Sequence, residues 1–170
     1  LPRLKALGVD ILWLMPIQPI GEVNRKGHLG SPYAVKDYYG VNPEFGSLAD
    51  IKAFIQAAHQ QGMYVILDWV ANHTGADNRW MQSNPDFFLK NKDGQFAYAF
   101  DWSDTRDLNY WNPLLHDSMI NAMKFWLTET NIDGFRCDVA AEAPRSFWQH
   151  CIAELKTVKP DIFMLAEGDV

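Results

Sequence analysis

The chain has 170 residues, 48% of them hydrophobic, which is enough for one domain with a proper core and too many for a disordered segment. A formal charge of −6 without any long basic run argues against nucleic acid and anionic membrane surfaces as partners. No apolar run reaches bilayer-spanning length, so no membrane-spanning segment is expected.

The sequence opens at "LPRLKALG", without Met, in what reads as the tail of a helix, and so reads as a piece of a longer chain. Four short apolar runs follow: "VDILWLMPI" (9–17), "MYVILDWV" (63–70), "IDGFRCDVA" (132–140) and "IFMLAEGDV" (162–170). Each is nearly continuous rather than alternating, as in parallel strands covered on both faces. Helical patterns separate them. At 47–62, Ser47 with Asp50 three residues on makes a capping-box start, and Gly62 is placed to end the helix. At 112–131, Asn112 caps, Pro113 takes the first helical position and Asn131 ends the run. A third helix over 145–158 precedes Pro160. The alternation of strand and helix predicts an α/β fold with a parallel sheet and right-handed crossovers, either an open doubly wound sheet or a (β/α)8 barrel. Residues 74–111 carry no strong periodicity and are rich in Asn, Asp and aromatics, so they read as an insertion at the C-terminal end of a strand, where α/β enzymes build sites.

The cysteines, Cys137 and Cys151, have no metal-like spacing and are expected to be free, buried thiols. The charges are more telling. Asp68, Asn72 and His73 follow one apolar run, Arg136 and Asp138 close another, and Glu167 follows a fourth. In a parallel fold those strand ends converge, so Asp68, Asp138 and Glu167 are expected at one mouth. Arg136 and Asp138 are two apart and share a face, with Cys137 pointing the other way. Arg136 is expected to hold Asp138 ionised, and the charge on Asp138 to raise the pKa of Glu167. One ionised carboxylate beside one protonated carboxylic acid is what glycoside hydrolysis uses. Taken alone, the Arg–Asp pair is equally a buried salt bridge.

"DWVANH" (68–73), "GFRCDVA" (134–140) and "MLAEGD" (164–169) together resemble the sequence regions of the α-amylase family of glycoside hydrolases, and "LGVDILWLMPIQPIG" (7–21) is similar to the family's entry into its second barrel strand. The resemblance implies a partial (β/α)8 TIM barrel, about strands two to five. The barrel segments would be 1–73 and 112–170, with a domain B-like insertion at 74–111 after the third strand. It implies Asp138 as nucleophile, Glu167 as general acid and base, and Arg136 as the group that orients the nucleophile. His73 would hydrogen-bond the sugar being cleaved, Tyr33 would stack under it, and Asp68 would lie at the base of the site. Asn72 matches a residue that binds structural calcium in many members. Calcium needs six to eight oxygens, and Asp77, Asp86, Asp101 and Asp104 are the further carboxylates the insertion offers. No organic cofactor is implied.

The family's third catalytic acid lies in an "NHD" motif that this stretch does not contain, so the 170 residues alone are expected to be inactive or nearly so. Many starch amylases have Lys-His three and four residues after the nucleophile, where this chain has Ala141 and Glu142. That places it nearer the neopullulanase and maltogenic type, with Glu142 either on the leaving-group side of the substrate or, equally, a solvated loop charge. Trp69, Trp80, Trp102 and Trp111 could line a glucan groove, although ordinary packing is the favoured reading for any single one; Trp102 is first among them for a sugar contact. The expected substrate is an α-glucan or maltooligosaccharide, cleaved at α-1,4 or α-1,6 bonds. A glucanotransferase with the same residues, and a non-catalytic glucan-binding or transporter-partner relative, are the alternatives. Family habit suggests an extracellular or periplasmic bacterial location.

Overall fold

A computed structural model of the chain describes residues 1–168. A short helix α1 (Pro2–Ala6) leads into strand β1 (Ile11–Leu14), helix α2 (Leu48–Gln60) and strand β2 (Tyr64–Val70). Then come β3 (His73–Gly75), α3 (Trp80–Ser83), β4 (Thr105–Asp107), α4 (Pro113–Thr130), β5 (Gly134–Asp138), α5 (Arg145–Val158) and β6 (Phe163–Ala166).

The helix ends follow from local chemistry. Ser47 Oγ accepts the Asp50 N–H at 3.3 Å while Asp50 Oδ2 accepts the Ser47 N–H at 2.8 Å, a complete capping box for α2. Asn112 accepts the Leu114 N–H at 3.0 Å at the start of α4, and Asn131 in the left-handed region (φ 57°) closes it. The strands are shorter than the apolar runs that announce them. β1 stops at Leu14, ahead of Pro16, which has no N–H for a ladder. The fourth run gives β6 over Phe163–Ala166, and its last two residues, 169–170, lie outside the described residues.

The four long strands form one parallel sheet in the order β1-β2-β5-β6. Each new strand joins on the same side as the last. An open doubly wound sheet reverses that order at a switch point; a barrel wall does not. Helices α2, α4 and α5 pack side by side over one face of the sheet. There Val65, Leu67, Trp69, Phe135 and Cys137 meet Ile55, Met119, Met123, Trp126, Phe147 and Cys151, all buried. Each such side chain contributes roughly 1.5–3 kcal/mol. The two thiols are free and lie in this layer, as expected. The opposite face carries Trp13, Tyr64, Phe163 and Leu165, all more than two-fifths exposed. It has the character of the inward face of a barrel wall. Gly134 is required where β6 passes β5, because a Cβ there would run into the Phe163 carbonyl oxygen.

Residues 74–111 are not without regular structure. β3 and β4 pair antiparallel, with His73 opposite Asp107 and Gly75 opposite Thr105. Strands of three residues leave no periodicity to read, which is why the sequence shows only loop. This small ribbon rises directly from the end of β2.

Candidate active site

The register of the sheet brings the charged groups together. Asp68 on β2 lies beside Arg136 on β5, Val70 beside Asp138, and Arg136 beside Leu165 of β6. Strand alternation then puts Asp68, Arg136 and Asp138 on the inward face. Arg136 binds all three carboxylates. Its Nη1 lies 3.0 and 3.1 Å from the two oxygens of Asp68 and 3.0 Å from Asp138 Oδ1. Its Nη2 lies 2.6 Å from Glu167 Oε1. Asp68 is fully buried and also accepts the Trp13 indole N–H at 3.1 Å and the Tyr33 hydroxyl at 3.3 Å. One guanidinium therefore ties the ends of three strands to a buried floor.

The protonation order differs from the one expected from sequence. Asp138 is raised to about 6, by burial first and then by the charge of Glu167, against the pull of Arg136. Glu167 is lowered, because the Val139 N–H donates to Oε2 at 2.9 Å and Arg136 holds Oε1. The expectation of an Asp138 kept low and a Glu167 pushed up is corrected on both counts. Asp138 is the drier of the two, with 13% of its side chain exposed against 46% for Glu167, and Glu167 receives a backbone donor that no sequence pattern announces. Asp68 is also raised by burial, in spite of its bonds to Arg136, Trp13 and Tyr33.

Above the floor lies a pocket of about 300 Å³, lined by Tyr33, His73, Trp102, Asp138 and Val139 among others. His73 is buried, and that burial lowers its pKa to about 4, so its imidazole is neutral near pH 7 and presents one donor and one acceptor. Its ring centroid is 5.3 Å from that of Trp102, which also packs on Phe100 at 4.9 Å. Glu167 borders a separate hollow of about 340 Å³ with Ala140, Trp148 and Leu165. The site is thus a pocket with a carboxylate of β5 in its wall and the carboxylate that follows β6 joined to it through Arg136.

Several sequence candidates lie elsewhere. Glu142 is exposed at the end of a short 3-10 turn (Ala140–Glu142) and does not line the pocket. Trp69 and Trp80 are not groove residues. Trp69 faces the helix layer from β2 and is fully buried against Tyr38 and Phe135, and Trp80, on α3, packs on Tyr38 at 4.8 Å and on Phe87 at 5.7 Å. Trp111 is 91% exposed, beside Asp86 and Phe88, away from the pocket.

Among the described residues no three His, Cys, Asp or Glu side chains converge as a metal site. The Asn72 side-chain nitrogen lies 3.3 Å from His73 Nδ1. Asp77 accepts the Glu22 N–H and meets Lys36, Asp101 faces Lys26, and Asp86 is exposed. Asp107 keeps one buried oxygen, Oδ1, without a hydrogen-bond partner.

Two residues of the site escape the sequence reading. Trp13 binds Asp68, and the Arg136 guanidinium stands 5.0 Å over its ring. Counting by twos along "ILWL" from its partner in β2 would have put Trp13 on the inward face. Val139 lines the pocket and holds Glu167; its left-handed backbone has no signal in a Val.

Comparison with known proteins agrees with this architecture. The family model for the alpha amylase catalytic domain matches residues 1–98 and 86–150. An alpha-amylase from Lactobacillus plantarum superposes with a TM-score of 0.95 at 48% identity, covering 98% of this chain and 39% of that one. A noncanonic maltogenic alpha-amylase from Thermotoga neapolitana superposes with a TM-score of 0.93 at 41% identity, with the same two coverages, 98% and 39%. An alpha-1,4-glucan:maltose-1-phosphate maltosyltransferase of Mycolicibacterium smegmatis is 35% identical over 99% of this chain and 27% of its own length. The chain therefore spans about a quarter of the length of that curated relative.

Proposed function

Because this chain belongs to the alpha-amylase family, with a sheet that is part of the family's TIM barrel, we propose that it carries the catalytic carboxylates of a retaining α-glucan hydrolase acting on α-1,4 or α-1,6 bonds of starch, maltooligosaccharides or related glucans. The observation that carries this reading is the single guanidinium of Arg136 bound to both Asp138 and Glu167 beside a sugar-sized pocket. In the first step the Asp138 carboxylate attacks the anomeric carbon while Glu167 gives a proton to the leaving oxygen, which requires substrate binding to reverse the protonation order of the free site and place the proton on Glu167; the glycosidic C–O bond breaks and a glycosyl ester forms on Asp138. In the second step Glu167 takes a proton from water, the water oxygen bonds to the anomeric carbon, and the ester breaks. Retention calls for carboxyl groups about 5–5.5 Å apart. Arg136 orients Asp138, Asp68 holds Arg136, His73 bonds a sugar hydroxyl as a neutral imidazole, and Tyr33 and Trp102 offer apolar ring faces to the sugar.

The same residues serve transfer when a sugar hydroxyl replaces water. That second reading is favoured by the relative whose name is maltosyltransferase; hydrolysis is favoured by the relatives at 48% and 41% identity, both named amylases. Within this proposal residues 74–111 act as a domain B-like insertion that supplies Trp102 to the pocket, between barrel segments 1–73 and 112–170. With the inward face of the sheet exposed, these 170 residues are expected not to turn over on their own.

The reading is tested by treating a complete catalytic domain that contains this sequence with a 5-fluoro-α-glycosyl fluoride and mapping the label by mass spectrometry. Label on the peptide containing Asp138, lost in Asp138→Asn, is the expected result. A folded, glucan-binding protein that takes no label anywhere sinks the hydrolase and transferase readings together.

A further inference from the structure

The ladder between β5 and β6 contains an irregularity next to Asp138. The Glu167 N–H donates to the Cys137 carbonyl at 3.0 Å, as a parallel register requires. In an unbroken ladder the Glu167 carbonyl would then accept the N–H of residue 139. It accepts instead the N–H of Ala140, at 2.9 Å. One residue has been added to β5, and that residue is Val139. Its backbone is left-handed, with φ 37° and ψ 46°, a region that β-branched residues avoid. Its carbonyl accepts the Glu142 N–H at 3.0 Å, which starts the following turn. Its N–H, displaced from the ladder, points at the Glu167 side chain and meets Oε2 at 2.9 Å. Bulges of this kind re-aim a group next to a site, and strain of this kind persists only where the surroundings impose it.

We propose that Val139 is a positioning residue for the reaction proposed above: the extra left-handed residue frees one backbone N–H from the sheet and uses it to hold the carboxylate of Glu167. The inference rests on that reading of Glu167. The two oxygens of Glu167 then have separate holders, Arg136 Nη2 on Oε1 and the Val139 N–H on Oε2. Both holders belong to the segment that carries Asp138. The spacing between nucleophile and acid is thereby set by the four consecutive backbone positions 136–139 of one strand end rather than by the flexible stem of a glutamate at the end of the next strand. The donor is a main-chain group, so the function resides in the backbone at 139 and not in the valyl side chain.

The test replaces the Asp138–Val139 amide by an ester, using the α-hydroxy analogue of valine at 139, in a complete catalytic domain. This removes the N–H and leaves every side chain in place. Two substrates separate acid assistance from everything else: a maltooligosaccharide, whose leaving oxygen must be protonated, and maltosyl fluoride, whose leaving group needs no proton. The expected result is a fall in kcat/KM of roughly tenfold or more on the oligosaccharide, with kcat/KM on the fluoride held within about twofold. An equal change on both substrates, or none on either, overturns the proposal. Thermal melting supplies a second measurement. The ester should lower Tm in the parent protein and lower it less in Glu167→Ala, and equal losses in the two backgrounds also count against it. An unmodified protein that cleaves neither substrate overturns the hydrolase reading itself, and this inference with it.

Discussion

Trp13 and Asp68 belong to adjacent strands, and the indole N–H of the first reaches Oδ2 of the second at 3.1 Å while the Arg136 guanidinium covers the indole ring at 5.0 Å. Asp68 is fully buried, so each donor lost from it leaves a desolvated oxygen short of a partner. Trp13→Phe keeps a ring under Arg136 and removes the donor. The expected cost is about 1–3 kcal/mol of unfolding free energy, measured by urea denaturation. A variant as stable as the parent would mean that the contact carries no energy.

Arg136→Lys is expected to behave as a disruptive change. A lysine can approach one carboxylate, whereas Arg136 serves Asp68, Asp138 and Glu167 from two nitrogens. Leaving buried Asp68 without the guanidinium nitrogen that bridges its two oxygens should cost on the order of 3 kcal/mol in chemical denaturation. Trapping by the fluorinated glycosyl fluoride should slow as well, since Asp138 loses the cation that favours its ionised form.

Asp138→Asn should abolish turnover, by roughly 10⁴-fold or more, and stabilise the fold. The sign follows from linkage. The carboxyl titrates near 3.8 when unperturbed and near 6 in the folded chain, so between those values the native state holds the proton that the unfolded state has lost. Stability from this group is full below 3.8 and declines as pH rises through 6. The variant escapes that decline. Its Tm advantage should be absent near pH 3.8, grow up to about pH 6 and then level off at a few degrees. Calorimetry across that range checks it, and an advantage that does not vary with pH would contradict it.

His73 works in the opposite sense. Its folded pKa is lowered from 6.5 to about 4 by burial, so the unfolded state binds the proton first. The stability it contributes is present above 6.5 and is lost as pH falls towards 4. NMR of the ring should show a neutral imidazole at pH 5.5, and His73→Gln should flatten the acid limb of the stability curve. A ring that titrates near 6.5 would show that the site is wetter than its geometry implies.

Much of the fold is legible in the sequence, because its signals are local. Ser47 with Asp50, Asn112 with Pro113, and Asn131 mark helix ends by chemistry that operates within one turn. The four parallel strands announce themselves as continuous apolar runs. The choice between open sheet and barrel needs the order of the strands, which pattern alone does not contain. Strand parity puts Arg136 and Asp138 on one face, yet which of Asp138 and Glu167 holds a proton more tightly depends on a backbone N–H from a bulge, a long-range fact. For the same reason a one-dimensional reading leaves Trp69 and Trp80 open between groove and ordinary packing, whereas in space Trp69 is a core residue and Trp80 packs partly buried against the core.

Cys137 occupies the position between Arg136 and Asp138, facing the helix layer, where it and Cys151 are buried with their thiols pushed above the ordinary range by that burial. A thiol that is neither exposed nor ionised does not react until its surroundings part. These two sulfurs are therefore a built-in clock. The rate at which a thiol reagent modifies Cys137 reports how often the strand bearing Arg136 and Asp138 lifts from α4 and α5, and it does so with every inward-facing side chain of the site left as it is.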